Sequence, residues 1–201
     1  MVPGQRSTFI SPSSFQPSWS TSVLTIRGVA AIVAGALVAV ALGVYGSVHE
    51  PTGRDTFTLG FGSVVAMKVW LALVAGVLGL VQLVTALWLY GRLGRPAAPW
   101  VSTVHHANGA LVVLLTLPVA YNCLWSFGFQ AHDTRTLVHS LLGCLLYGAL
   151  VTKLVVLHGP ATSGWLLPVA GGLLFTVLVV VVLTSSLWYL VEVGLPSAGG
   201  Y

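Results

Sequence analysis

The chain has 201 residues, of which 56% are apolar and only 6% charged, and its formal net charge of +4 is 8 basic minus 4 acidic side chains. An average soluble domain carries about 25% charged residues, so this chain lacks the polar surface that a water-soluble fold needs. Disordered, collagen-like and coiled-coil classes are excluded by the same count, and cations this sparse exclude a phosphate-tracking nucleic-acid face. With a mean hydropathy of +0.94, the chain is expected in a membrane.

In chain order, residues 1–22 are rich in Ser, Thr and Pro with one charge, Arg6, and read as a disordered cytoplasmic tail. The apolar run that follows is too long for a signal-peptide core and lacks a small-residue cleavage pattern, so it is expected to stay in the membrane. Five apolar runs then alternate with turn chemistry: Val23 to Val48, Val64 to Tyr90, Val104 to Phe127, Leu137 to Leu157, and Trp165 to Leu190. Each exceeds the roughly 20 residues that a helix needs to cross the hydrocarbon core. Barrel strands would be about half that length and would alternate in polarity. The breaks are Glu50-Pro51-Thr52-Gly53, Gly94-Arg95-Pro96, Gly128 and His158-Gly159-Pro160. The predicted fold is an all-α integral membrane bundle of five transmembrane helices over residues 23–190, with a short C-terminal tail over 191–201.

Orientation follows the cations. With the N-terminus cytoplasmic, Arg6, Arg27, Arg92, Arg95 and Lys153 lie inside, and Arg54, Lys68 and Arg135 lie outside. The acids Glu50, Asp55, Asp133 and Glu192 also fall outside, so the C-terminus is expected to be extracytoplasmic. Arg27, Lys68 and Lys153 lie near span ends, where their stems can snorkel to the interface. Trp88, Trp100, Trp125, Trp165 and Trp188 also lie near span ends, as an interfacial belt does. The expected location is the bacterial cytoplasmic membrane.

Two stripes of small residues suit close helix contact in lipid: Ala31, Gly35, Ala39 and Gly43 on the first helix, and Ser140, Cys144, Gly148 and Thr152 on the fourth. They serve packing within the bundle or a homo-oligomer contact. Cys123 and Cys144 form no CxxC pair or zinc spacing and read as small buried hydrophobes. No Asp, Glu, Lys or Arg lies near the middle of a span, and no broken half-helices stand out, which argues against ion-coupled transport.

The six histidines carry what chemistry there is. His49 and His158 end helices, where an imidazole meets the last carbonyls. His132 lies in a short loop beside Asp133. His105 and His139 each open a helix inside a Val-His-x-x-x-Gly-x-Leu pattern, with Gly109 and Gly143 one turn deeper on the same face. The glycine leaves a notch beside the imidazole, which suits a flat macrocycle held by that ring, and haem iron commonly takes axial histidine. The alternative is an interfacial histidine with glycine serving close packing. Both rings are expected to be neutral at a helix start, the form that ligates metal. His106 competes with His105 on the same helix.

Antiparallel helices put His105 and His139 at opposite membrane faces, so two haem b sites are needed. Near His105, the pair is His105 or His106 with His158, if the third and fourth helices are neighbours. Near His139, the candidate partners are His49, Met67 and Asn122. Pairing within one helix fails, because fourteen residues after His105 stands Val119 and fourteen after His139 stands Lys153.

Gly43-Val-Tyr-Gly-Ser-Val-His-Glu-Pro-Thr-Gly-Arg54, Leu117-Pro-Val-Ala-Tyr-Asn-Cys-Leu-Trp125 and Thr136-Leu-Val-His-Ser-Leu-Leu-Gly143 together resemble a family of uncharacterised actinobacterial multi-pass membrane proteins, known only as a domain of unknown function. The resemblance covers roughly residues 38–190. Relatives can carry His where this chain has Asn122, which implies an outer pair with His139 there. More distantly, the last four helices look like cytochrome b561 and ferric-reductase bundles, which implies electron transfer through b-type haem. The electron donor would then be another protein or a quinol. Two functional expectations stand: a haem-binding electron-transfer protein, and a non-catalytic scaffold or accessory subunit of a membrane complex. A small permease is disfavoured by the empty mid-bilayer.

Overall fold

The computed structural model describes residues 19–54, 57–159 and 165–196. The expected tail over 1–22 lies almost wholly outside these residues, as do Asp55, Pro160 and the end of the C-terminal tail. Five helices are long and apolar enough to cross a membrane: Ile26–Val48, Val64–Leu89, Pro99–Phe127, Thr134–His158 and Leu166–Glu192. No strand occurs among the described residues. The chain has the helices of a multi-pass integral membrane protein.

Local chemistry sets the helix ends. Helix α1 spans Trp19–Val48 and begins before the apolar run does. Helix α2, Val64–Leu89, starts where Ser63 Oγ accepts the Ala66 N–H at 3.1 Å. Helix α3, Pro99–Asn122, starts with proline in its first turn, where a missing N–H costs nothing. His105 therefore sits in the second turn and does not open the helix, as the apolar run alone suggested. Helix α4, Thr134–His158, starts three residues before its apolar run because Asp133 and Thr136 form a reciprocal capping box. The Thr136 N–H, donated to Asp133 at 2.8 Å, holds that carboxyl below its usual range, with Arg135 and His132 adding positive charge. Helix α5 is Leu166–Val182.

Both α3 and α5 pass into one widened turn of π-helix, over Cys123–Phe127 and Leu183–Leu187 respectively, and α5 resumes as α-helix over Trp188–Glu192. Such turns add a residue per repeat and re-aim the side chains that follow.

Packing gives the spatial order α1, α4, α5, α2, α3. The stripes on α1 and α4 meet each other. A Cβ built on Gly35 would collide with Thr152 Oγ1 and the Gly148 carbonyl, and one on Gly148 would strike the Gly35 carbonyl. Thr152 Oγ1 also lies within hydrogen-bonding range of Ala31 O (3.3 Å) and Gly148 O (3.1 Å). Both stripes are thus used within the chain. Helices α2 and α5 form the middle, where Gly76 faces Val182 and Gly79 faces Leu178. Helix α3 is tied to α2 by Asn108 Nδ2, which donates to Leu78 O at 2.9 Å. Helices α3 and α4, consecutive in the chain, scarcely touch.

Candidate functional site: the crevice between α3 and α4

Where α3 and α4 part, a crevice of about 420 Å³ remains, with α2 and α5 completing its walls. Most of the lining is apolar, including Val119, Leu146, Leu178 and Val182, and the polar groups gather towards the end that holds His139.

His139 stands at the α4–α5 seam with Nδ1 3.3 Å from Thr184 Oγ1. The Thr184 hydroxyl has one proton, and its closest acceptor is Val180 O at 2.8 Å. The imidazole must therefore supply the proton between them, which leaves Nε2 as the nitrogen with a lone pair. The same device recurs at the other end: His105 Nδ1 lies 2.9 Å from Thr85 Oγ1, and Thr85 donates to Val81 O at 2.8 Å. Each member of the repeated Val-His-x-x-x-Gly-x-Leu pattern is thus oriented by a threonine from the neighbouring helix. With Gly76 against Val182, the two Thr–His pairs stand roughly 16 Å apart along the bundle, counted at 1.5 Å per residue. One iron cannot be shared between them.

The glycines separate the two sites. A Cβ on Gly143 would meet nothing within 4 Å, and Gly143 lines the crevice with His139, so the expected notch exists there. Beside Gly109, the Gln82 side chain fills the space that a Cβ would take, so no notch remains by His105. His106 is exposed and lies 6.0 Å, ring to ring, from His105. His158 is exposed, with Nδ1 3.0 Å from Leu154 O of its own helix. The expected pair of His105 or His106 with His158 required α3 and α4 to be packed neighbours, and they are not.

None of the expected partners of His139 lines the crevice. His49 is stacked between Tyr45 and Trp125, at 5.1 and 4.6 Å. Met67 is fully buried. Asn122 is fully buried, with Nδ2 donating to Pro118 O at 3.0 Å and Ser126 Oγ 3.5 Å from its Oδ1. Position 122 therefore faces away from the crevice wall that its neighbour Cys123 lines, and a histidine there would not complete a pair with His139 by simple replacement.

Several groups at this end were not singled out by sequence reasoning. Lys68, read as a snorkelling cation, lays its ammonium over the Phe127 ring at 3.9 Å. Cys123, read as a small hydrophobe, opens the π turn of α3 on the crevice wall, within hydrogen-bonding reach of His139 and Lys68. Arg135 donates to Thr184 O at 2.8 Å and stacks 3.6 Å over Trp188. Tyr147 also lines the crevice, with its buried hydroxyl towards Thr116 of α3. A signal for Cys123 was legible: His105, Asn108, Thr116 and Cys123 fall on one face of α3 at helical spacing.

The segment after α1 straps over this end. Thr52 N–H and Gly53 N–H donate to Trp125 O and Ser126 O, each at 3.2 Å, and Phe129 N–H donates to Gly46 O at 2.8 Å. The three stretches that carried the family resemblance, 43–54, 117–125 and 136–143, thus converge around the His139 end.

Among the described residues, no three His, Cys, Asp or Glu side chains gather as a metal site. Were a haem bound here, His139 would hold its iron and Lys68 and Arg135 would face its carboxylates, whereas the expected partners His49, Met67, Asn122 and His158 are not placed to join a histidine in the crevice.

Against known proteins, residues 26–197 match a family described as "Family of unknown function (DUF6529)". No curated protein matches, and no solved structure matches.

Proposed function

The chain belongs to that family of unknown function, and from that premise we propose that it is a membrane-embedded binding protein for an amphiphilic small molecule held in the α3–α4 crevice. The observation that carries this reading is the parting of two consecutive helices around a mostly apolar space whose polar groups collect at one end. Its volume of about 420 Å³ falls within the range of small-molecule sites. Two cations, an imidazole and a thiol in one place suit a polar head, and the remaining wall suits an apolar body.

The test is retention. Organic extracts of the detergent-purified chain, read by mass spectrometry, should contain one amphiphile at about one per chain. Gly143→Phe should lose it, because the added ring enters the crevice where a Cβ meets no neighbour. Its melting temperature should stay close to that of the parent. Equal retention by parent and variant sinks this reading.

A second reading, single-electron transfer through one b-type haem, draws support from the orientation of His139 and the open notch at Gly143. Haem would supply the one-electron chemistry, and the chain would supply the axial nitrogen, an apolar wall and cations. The Cys123 thiol beside His139 would have to make room for the iron. An oxidised-minus-reduced visible spectrum of chain purified from haem-replete cells should then show one component, abolished by His139→Ala and insensitive to His105→Ala. A colourless preparation rules this second reading out.

A further inference from the structure

Among the described residues, the charged side chains lining the crevice are Lys68 and Arg135, and no carboxylate lines it. Lys68 is the fifth residue of α2, inside the membrane-spanning segment. Among the described residues, no carboxylate oxygen comes within 4.0 Å of its ammonium, whose neighbours are the Phe127 ring and the Cys123 thiol. Arg135 has only a long contact with Asp133, 3.8 Å, and that carboxylate is shared with His132 at 3.1 Å. One Arg135 nitrogen is committed to Thr184 O, and the guanidinium keeps further donors. Among the described residues, cations therefore outnumber carboxylates at the polar end of the crevice, beside a mostly apolar wall.

The space also limits the occupant. Its wall of Val119, Leu146, Leu178 and Val182 suits a hydrocarbon chain and offers no partner to a second polar group.

We propose that the crevice selects an amphiphile with an anionic head, a carboxylate or a phosphate, bound through Lys68 and Arg135 with its hydrocarbon chain lying between α3 and α4. The inference rests on the amphiphile reading above and adds the charge of the head. Both oxyanions offer the paired oxygens that an arginine fork accepts, and the ammonium adds a point charge.

The test uses the full chain in nanodiscs of neutral phospholipid, with radiolabelled palmitate, hexadecyl phosphate and hexadecanol as probes. At neutral pH, at least one of the two anions should bind at one per chain, and hexadecanol should bind roughly tenfold more weakly or worse. Binding of one anion alone supports the proposal and identifies the head. Lys68→Met keeps the aliphatic stem and should weaken the bound anion about tenfold while leaving hexadecanol unchanged. Lys68→Arg should restore anion binding. Equal affinity for palmitate, hexadecyl phosphate and hexadecanol, or full anion binding by Lys68→Met, overturns anion selectivity and leaves the amphiphile reading standing. Failure of all three probes to bind overturns both.

Discussion

Gly35→Ala should destabilise the bundle by about 2 kcal/mol, although alanine is the better helix former by about 1 kcal/mol. The new methyl would run into Thr152 Oγ1 and into the carbonyl of Gly148, and main-chain atoms cannot step aside as a flexible side chain can. The α1 and α4 backbones must separate. That separation also loosens Thr152 from Ala31 O and opens the contact of Gly43 with Cys144. Gly148→Ala meets the same contact from the other helix and should cost a similar amount. The double variant should cost less than the sum, because the first methyl has already parted the helices. Gly171→Ala and Gly172→Ala are the controls, since a Cβ at either position meets nothing within 4 Å, and they should be neutral or stabilising by up to about 1 kcal/mol. Unfolding in mixed micelles with rising denaturing-detergent fraction measures all five. Gly35→Ala as stable as Gly171→Ala would show that the close α1–α4 approach contributes nothing.

Gly128→Ala should cost about 2 kcal/mol by a different route. Gly128 ends the π turn of α3 at φ +68° and ψ −174°, a region essentially confined to glycine, where a side chain costs roughly 1–3 kcal/mol of strain. Its Cβ would also come 2.8 Å from Pro51 Cγ and 3.3 Å from Gly46 O, the carbonyl that receives Phe129 N–H. Gly91 and Gly94 share the positive φ but face open space, so alanine there should show the strain alone, about 1 kcal/mol. The difference between Gly128→Ala and Gly91→Ala isolates the contact between the strap and the π turn. The same variant should speed hydrogen exchange at Thr52, Gly53 and Phe129, whose N–H groups close that end. Unchanged exchange at those three amides would count against a strap held by Gly128.

The strap and the crevice share their anchors. Cys123 and Phe127 line the crevice, while Trp125 and Ser126, on the other side of the same π turn, receive the strap. Ser126 Oγ adds a hydrogen bond to Arg54 O at 2.9 Å. The Thr184–His139 contact comes from the second π turn, in α5. Both widened turns of the molecule therefore supply the walls of one site, which is why residues spaced for an ordinary α-helix do not by themselves reveal it.

Much was legible in the sequence because it depends on composition and local spacing. Apolar run length dictates five spanning helices, since lipid offers backbone groups no partner outside the helix. The small-residue stripes identified the contact surfaces of α1 and α4, and the repeated histidine pattern identified both rings that a threonine now orients. Spacing predicted a notch at Gly109 and at Gly143 alike, and the one at Gly143 is open. What the sequence could not decide is which helix stands beside which. Lipid provides no hydrophobic bias for pairing chain neighbours, and the close contact of Gly35 with Gly148 places α4 against α1, leaving α4 parted from α3. That one choice separates His158 from any partner on α3 and fills the Gly109 notch with Gln82. It also gathers Lys68, Cys123, Arg135 and His139 around one crevice. Composition and periodicity determined five helices long and apolar enough to cross a membrane; only the order of packing decided that, of His105 and His139, the second lines the crevice.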